Sequence, residues 1–354
     1  MIKYLGSKRR LLPVLGEIFA TTGARTALDL FTGTTRVAQE FKRRGARVTA
    51  VDTARYAEVF GRCWIETDAD AIDHDDLDAV LERLAGLPGE PGYFTQTFCV
   101  ESRFFHPKNG ERVDAIRNAI ELDHRDSPLY PILLTSLVLA ADRVDSTTGV
   151  QMAYLKQWAP RAHNDLQLRR PQLLGGTGVV RRGDAHQIAS ALGSFDLAYL
   201  DPPYNQHRYF TNYHVFETLV AWDAPEHYGV ACKRADSRSV ETKSIFNDKR
   251  RMATALRETI AAVDAEIVIV SYNNESWVAI DDLRDMAAVH GDVVALGFDS
   301  KRYVGAQIGI HDPSGKRVGA VSHLRNLEYV VVAGPRAVVD RIRSRYQEDV
   351  QCCR

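Results

Sequence analysis

Cysteine is scarce. The 354 residues hold five, Cys63, Cys99, Cys232, Cys352 and Cys353, and no two form a C-x-x-C pair. An odd, scattered set excludes a disulfide framework and fits a reducing cytoplasm. The histidines lack ligand spacing, so no metal site is expected. Long apolar runs are also missing. The longest, Leu129 to Ala141, is too short to cross a bilayer and contains Pro131, which predicts a buried helix. Met1-Ile2-Lys3-Tyr4 leads into charged sequence, not a secretory signal, so no membrane partner is expected. A surplus of one charge is absent as well: the net charge is −1 at pH 7, which excludes a uniformly basic chain.

What is present is segregation. Residues 1–47 hold ten Lys or Arg against three acids, whereas residues 66–90 hold nine acids against one Arg. Residues 151–185 and 233–251 each come to about +4. Such blocks place a basic face beside an acidic one and permit a polyanionic partner despite the balanced total. The length allows two domains and a sizeable core.

The first half carries a nucleotide-site pattern. Residues 25–30 read as a short strand ending at Asp29–Leu30. A turn at Gly33 follows, then an amphipathic helix to about Arg44 and a second strand, Arg47 to Val51, that ends in Asp52. Strand, glycine turn, helix, strand and acid make a Rossmann-type site, with Gly33 admitting close backbone approach and Asp52 taking two ribose hydroxyls. The fingerprint G-x-G-x-x-G is absent, because Thr35 and Val37-Ala38 occupy its later positions. That argues against a nicotinamide dinucleotide and leaves a nucleoside cofactor without a pyrophosphate. Upstream, Ser7 caps a predicted helix with Pro13 in its opening turns, and Lys8 beside that terminus attracts an anion such as a carboxylate.

The second half is organised around Asp201-Pro202-Pro203-Tyr204. Phe195 to Leu200 is a short apolar run that reads as a buried parallel strand, and two prolines end it abruptly. An acid, a rigid backbone carbonyl and an aromatic face then sit at a strand end, where open α/β sheets bind ligands. Those parts suit an exocyclic amino group of a nucleobase, whose lone pair is delocalised. Acceptors from Asp201 and the Pro202 carbonyl would hold its two N–H bonds and aim the lone pair at an electrophilic methyl, with Tyr204 stacked on a flipped base.

The remainder is organised around that sheet. Residues 63–178 read as a mostly helical insertion, with helices at Val113 to Leu122 and Leu129 to Arg143 and a turn at 104–110. Lys156, Arg161, Arg169 and Arg170 interleave with Trp158 there as candidate nucleic-acid contacts. The sheet resumes at Val179, and Asp184 at that strand's end would accept from the amino group of a cofactor adenine. Asn205, His207, Tyr209 and their neighbours form an aromatic floor or lid for a base, and residues 225–250 read as a mobile basic loop. Strands at Ala265 to Ser271, Asp292 to Phe298 and Ser322 to Ala333, with a turn at Pro313-Ser314-Gly315, close the sheet before a charged helix from Pro335. The predicted organisation is a catalytic domain in two parts, 1–62 and 179–354, around the 63–178 insertion.

With these residues placed, the chain resembles the Dam-like adenine-specific DNA methyltransferases. The matches are YLGSK at 4–8, DLFTGTT at 29–35, VD at 51–52, GD at 183–184 and DPPY at 201–204, in the family's order, and FFHPKNGERVDAIR at 104–117 is similar to the family's target-recognition region. The resemblance implies an α/β, Rossmann-like sheet with an inserted helical target-recognition domain, S-adenosylmethionine as methyl donor and double-stranded DNA as partner, with a cognate restriction endonuclease possible. It implies that Tyr4 and Lys8 border the methionine end of the cofactor, that Asp29, Phe31 and Gly33 line its pocket, that Asp52 holds the ribose and that Asp184 meets the adenine. Thr35 departs from the second glycine of many relatives. Methylation of RNA adenine or protein glutamine is the rival within enzymes, though glutamine enzymes usually resemble NPPY. A non-catalytic DNA-binding relative would have lost Asp52 or the DPPY stretch, and both are intact.

Overall fold

The computed structural model describes residues 2–204, 206, 208–301, 310–311, 317–319 and 325–346. Asn205, His207, Ser322, Cys352, Cys353 and the 313–315 turn lie outside them.

The strands in chain order are β1 (Thr26–Asp29), β2 (Arg47–Asp52), β3 (Val179–Arg182), β4 (Phe195–Leu200), β5 (His227–Tyr228), β6 (Lys233–Arg234), β7 (Ala265–Asn273), β8 (Asp292–Lys301), β9 (Ile310–His311), β10 (Arg317–Gly319) and β11 (Arg325–Gly334). Seven form one sheet in the order β3-β2-β1-β4-β7-β11-β8. The first five are parallel, and β11 runs antiparallel between β7 and β8. The order reverses direction between β1 and β4, so their C-terminal ends open a crevice. Their N-terminal ends are tied together: Asp196 Oδ2 accepts from the Arg25 and Thr26 amides at 2.7 and 2.9 Å, which pins the register. With Leu28 opposite Ala198 and Asp29 opposite Tyr199, Asp29 reaches the sheet edge together with the end of β4.

Period-two alternation loads both faces of the sheet. Ala27, Leu197, Tyr199, Ile267, Ile269, Val330 and Val332 enter one core, and Leu28, Ala198, Leu200, Val268, Val270, Val331 and Ala333 the other. The second core is covered by helices Met252–Ala262 and Ile280–Ala287. Against the first pack the helices Leu12–Thr22 and Arg55–Gly61, and those of the 63–178 segment at His74–Ala85, Pro107–His124 and Tyr130–Val144. Among the described residues that segment adds no strand to the sheet. Its side chains Trp64, Leu77, Phe98, Ile116 and Leu137 share the sheet's own core.

Three local expectations change. Ser7 makes no side-chain cap bond; it precedes a single turn, Lys8–Arg10, and the helix proper starts at Leu12. Pro13, which has no amide to satisfy, occupies the first turn and so sets that start. The turn expected at 104–110 ends early, because Pro107 opens a helix that runs to His124, with His106 Nδ1 accepting from the Lys108 amide. Residues 225–250 are built rather than irregular. β5 and β6 form a hairpin, and the buried Arg234 donates both terminal nitrogens to Asp223 at 2.7 Å and one also to Asp236 at 2.7 Å. These charge-assisted bonds raise the Arg234 pKa despite burial, so this basic residue is a structural pin.

Candidate active site

The crevice at the strand ends encloses about 1300 Å³, including the open solvent at its mouth. It is lined by residues from four motifs: Tyr4 to Lys8, Asp29 to Thr34, Asp52 to Ala54 and Gly183 to Ala185. Asp201 and Pro203 reach it from the end of β4. Five motifs separated by up to about two hundred residues therefore meet because β3, β2, β1 and β4 are neighbours and parallel.

The turn after β1 is tightly organised. Asp29 is buried; its Oδ2 accepts from Thr32 Oγ1 at 2.9 Å and from the Ala38 amide at 3.1 Å. Its Oδ1 is buried without a partner. Burial outweighs the Thr32 and Ala38 bonds and lifts the Asp29 carboxyl to about 7. Gly33 has φ +49°, and a Cβ there would meet the Tyr4 ring at 3.2 Å, so a side chain would strain the backbone and push the ring aside. Thr35 takes φ +59°, the conformation a glycine would take, and its hydroxyl accepts from Gln39 Nε2 at 2.8 Å. The departure from the family's glycine is thus absorbed by a strained but bonded backbone.

Asp52 closes the same turn. Its Oδ2 accepts from the Gly33 amide at 2.8 Å and its Oδ1 from the Ala54 amide at 3.0 Å. Burial still raises its pKa. Asp184 lies two residues past β3 and caps the following turn through the His186 amide at 2.9 Å. Phe31 meets Phe246 edge-on at 5.1 Å between centroids. Residues 241–247 form a wall of the crevice that sequence patterns did not reveal, since nothing local marks Phe246 as a neighbour of Phe31.

Lys8 lines the crevice, and its ammonium is engaged by two carboxyl groups. Its Nζ lies 3.0 Å from Asp201 Oδ1 and 3.4 Å from Glu328 Oε2 on β11. Burial alone would lower the Lys8 pKa, but Asp201 and Glu328 together raise it well above the usual range. Burial lifts the Asp201 carboxyl to about 6 against the opposing pull of Lys8. The trio sets one ammonium between two carboxyl groups. Tyr204 sits beside it, with Lys8 Nζ 5.8 Å above its ring and Tyr272 edge-on at 5.8 Å. Pro202 is buried behind them. Glu328 carries no motif signal and was missed by sequence reasoning.

The surface candidates divide. Tyr209 belongs to the crevice wall, stacked on Tyr4 at 5.4 Å with its hydroxyl donating to the Leu5 carbonyl. Arg161 is bound to the buried Asp145 through Nε at 2.9 Å and Nη2 at 2.7 Å. Arg170 pairs with Asp78 at 3.0 Å across the acidic helix, and Arg169 and Lys156 are exposed. Elsewhere Glu101, His227 and Cys232 bring three ligand-type atoms within 4.8 Å of one another. There His227 pairs with Glu101 at 3.1 Å, and burial raises the Cys232 thiol, which favours the protonated form.

The family model for the D12 class N6 adenine-specific DNA methyltransferases matches residues 4–286. The chain is 31% identical over 318 residues to the type II methyltransferase M.NlaIII of Neisseria lactamica, covering 85% of this chain and 92% of that protein. It is 28% identical over 303 residues to the modification methylase StsI of Streptococcus sanguinis, covering 80% of this chain and 46% of that protein. With the type II methyltransferase M.FokI of Planomicrobium okeanokoites it shares 27% over 312 residues, covering 82% and 47%. It therefore spans nearly the whole length of the first and about half that of the other two.

Proposed function

The chain belongs to the D12 class N6 adenine-specific DNA methyltransferase family, and from that premise we propose that its crevice binds S-adenosylmethionine and that Asp201, Pro202 and Tyr204 present a flipped adenine to it. The observation that carries this reading is the meeting of the Asp201-Pro202-Pro203-Tyr204 strand end with the Asp29 and Asp52 turns in one cleft.

The residues fit the cofactor. Asp29 Oδ1 is a buried acceptor with no partner, as an ammonium group requires. Gly33 keeps the turn open beside Tyr4, Asp52 offers acceptors for ribose hydroxyls, and Asp184 an acceptor for the adenine amino group. When bound, S-adenosylmethionine supplies an electrophilic methyl on a sulfonium. The protein then holds the target amino group with two acceptors, the Asp201 carboxylate and the Pro202 carbonyl, so that the nitrogen lone pair points away from the base plane. Tyr204 supplies a stacking face worth about 1–3 kcal/mol per base. Asp201 and Glu328 together outnumber Lys8, leaving a residual negative charge where positive charge develops on the nitrogen.

Residues 63–178 are proposed as the target-recognition segment, and a cognate endonuclease as companion in a restriction-modification pair. The test is incubation of the purified protein with methyl-labelled S-adenosylmethionine and, in parallel, duplex DNA, RNA or a protein extract, followed by mass spectrometry and mapping of modified sites. N6-methyladenine at one sequence context is expected. Label in RNA or in glutamine, with none in DNA, overturns the substrate.

A further inference from the structure

We propose that Arg36 is the cation that receives the carboxylate of the cofactor's amino-acid end, an inference that rests on the cofactor reading above. An amino-acid end brings one ammonium and one carboxylate, and each needs a counterpart in a closed site. The ammonium has Asp29 Oδ1, buried and unpartnered. The lysine that sequence assigns to this end is held between Asp201 and Glu328. That leaves the carboxylate without its expected partner.

Arg36 fills the gap. It lines the crevice and is the first residue of the Arg36–Arg43 helix, directly after the Gly33–Thr35 turn. Asp29 is bonded to the same stretch through Thr32 and Ala38, so the two charges flank one turn. Arg36 is half-buried, and among the described residues no carboxylate pairs with it. Its guanidinium lies 5.9 Å over the Trp64 ring, a contact that holds the head group without using its N–H donors. Burial, with Arg43 and Arg9 nearby, lowers its pKa, a cost that a bound anion would remove. The other cations on the crevice wall, Arg208 and Lys243, are exposed.

Calorimetry on the intact protein tests this with two ligands that share the adenosine half. S-adenosylhomocysteine has the amino-acid end, and 5′-methylthioadenosine lacks it. In Arg36→Met, S-adenosylhomocysteine should bind about ten- to a hundred-fold more weakly, while methylthioadenosine stays within about twofold of wild type. Arg36→Lys should restore part of the loss. Unchanged methylthioadenosine affinity also shows that the variant is folded. Equal loss for both ligands, or no loss for either, overturns the proposal. So does a shallower salt dependence of DNA binding with normal S-adenosylhomocysteine affinity, which would make Arg36 a phosphate contact. A selective loss in Lys8→Met instead of Arg36→Met also overturns it. If the wild type binds neither ligand, the cofactor reading falls and this inference with it.

Discussion

At the scale of single residues, two carboxylates carry different burdens in one crevice. Asp201 accepts one N–H of the amino group and must be ionised to place negative charge beside the nitrogen, and burial lifts it to about 6. Single-turnover methyl transfer at saturating cofactor should therefore fall as pH drops through about 6, because protonation replaces an acceptor by a donor. Asp201→Asn should lower that rate by about 10²–10³ and leave DNA and cofactor affinity within a few-fold. Near wild-type transfer by this variant would remove Asp201 from the chemistry. Asp29, lifted to about 7, is tested by binding. Its carboxyl is protonated in the free protein below that value, and an ammonium needs it ionised. Cofactor binding should then release a proton and weaken as pH falls below about 7. Calorimetry in buffers of different ionisation enthalpy reads the proton, and Asp29→Asn should abolish it. A pH-independent affinity would separate Asp29 from the ammonium.

At the scale of elements, the Pro107–His124 helix approaches its neighbours through Gly110. A Cβ there would overlap the Cys99 sulfur and sit 3.2 Å from Thr95 Cα. Gly110→Ala should cost about 1–3 kcal/mol by overpacking, read as a lower urea midpoint at unchanged slope. Methylthioadenosine affinity should not change, because the contact is remote from the crevice. A midpoint equal to wild type would show that the helix shifts freely. The β5–β6 hairpin illustrates the same lesson in charges: Arg234 counts as basic in a sequence tally, yet its donors are occupied by Asp223 and Asp236.

At the scale of the molecule, segregated charge has to be sorted into surface and structure before it predicts DNA binding. Lys156 and Arg169 are exposed, so replacing either by Ala should reduce the salt slope of DNA binding by about one unit if it meets a phosphate. Arg161→Ala should behave otherwise. It removes two donors from Oδ1 of the buried Asp145, leaving Lys3 as its cation, and should lower thermal stability while leaving the slope unchanged. Equal slope changes in all three variants would return Arg161 to the DNA-facing set.

The sequence by itself determined the strands β1, β2, β3, β4 and β7, and with them the crevice residues Asp29, Gly33, Asp52, Asp184 and Asp201. Each sits where an apolar run stops at an acid, a glycine or a proline, and such punctuation is local. The tertiary structure alone decided which charges are spoken for. Lys8 meets Glu328 across 320 residues, Arg161 turns back to Asp145, and residues 241–247 close the wall opposite Phe31. Ion pairs depend on distance in space, and a linear pattern with no periodicity between the partners carries no record of it.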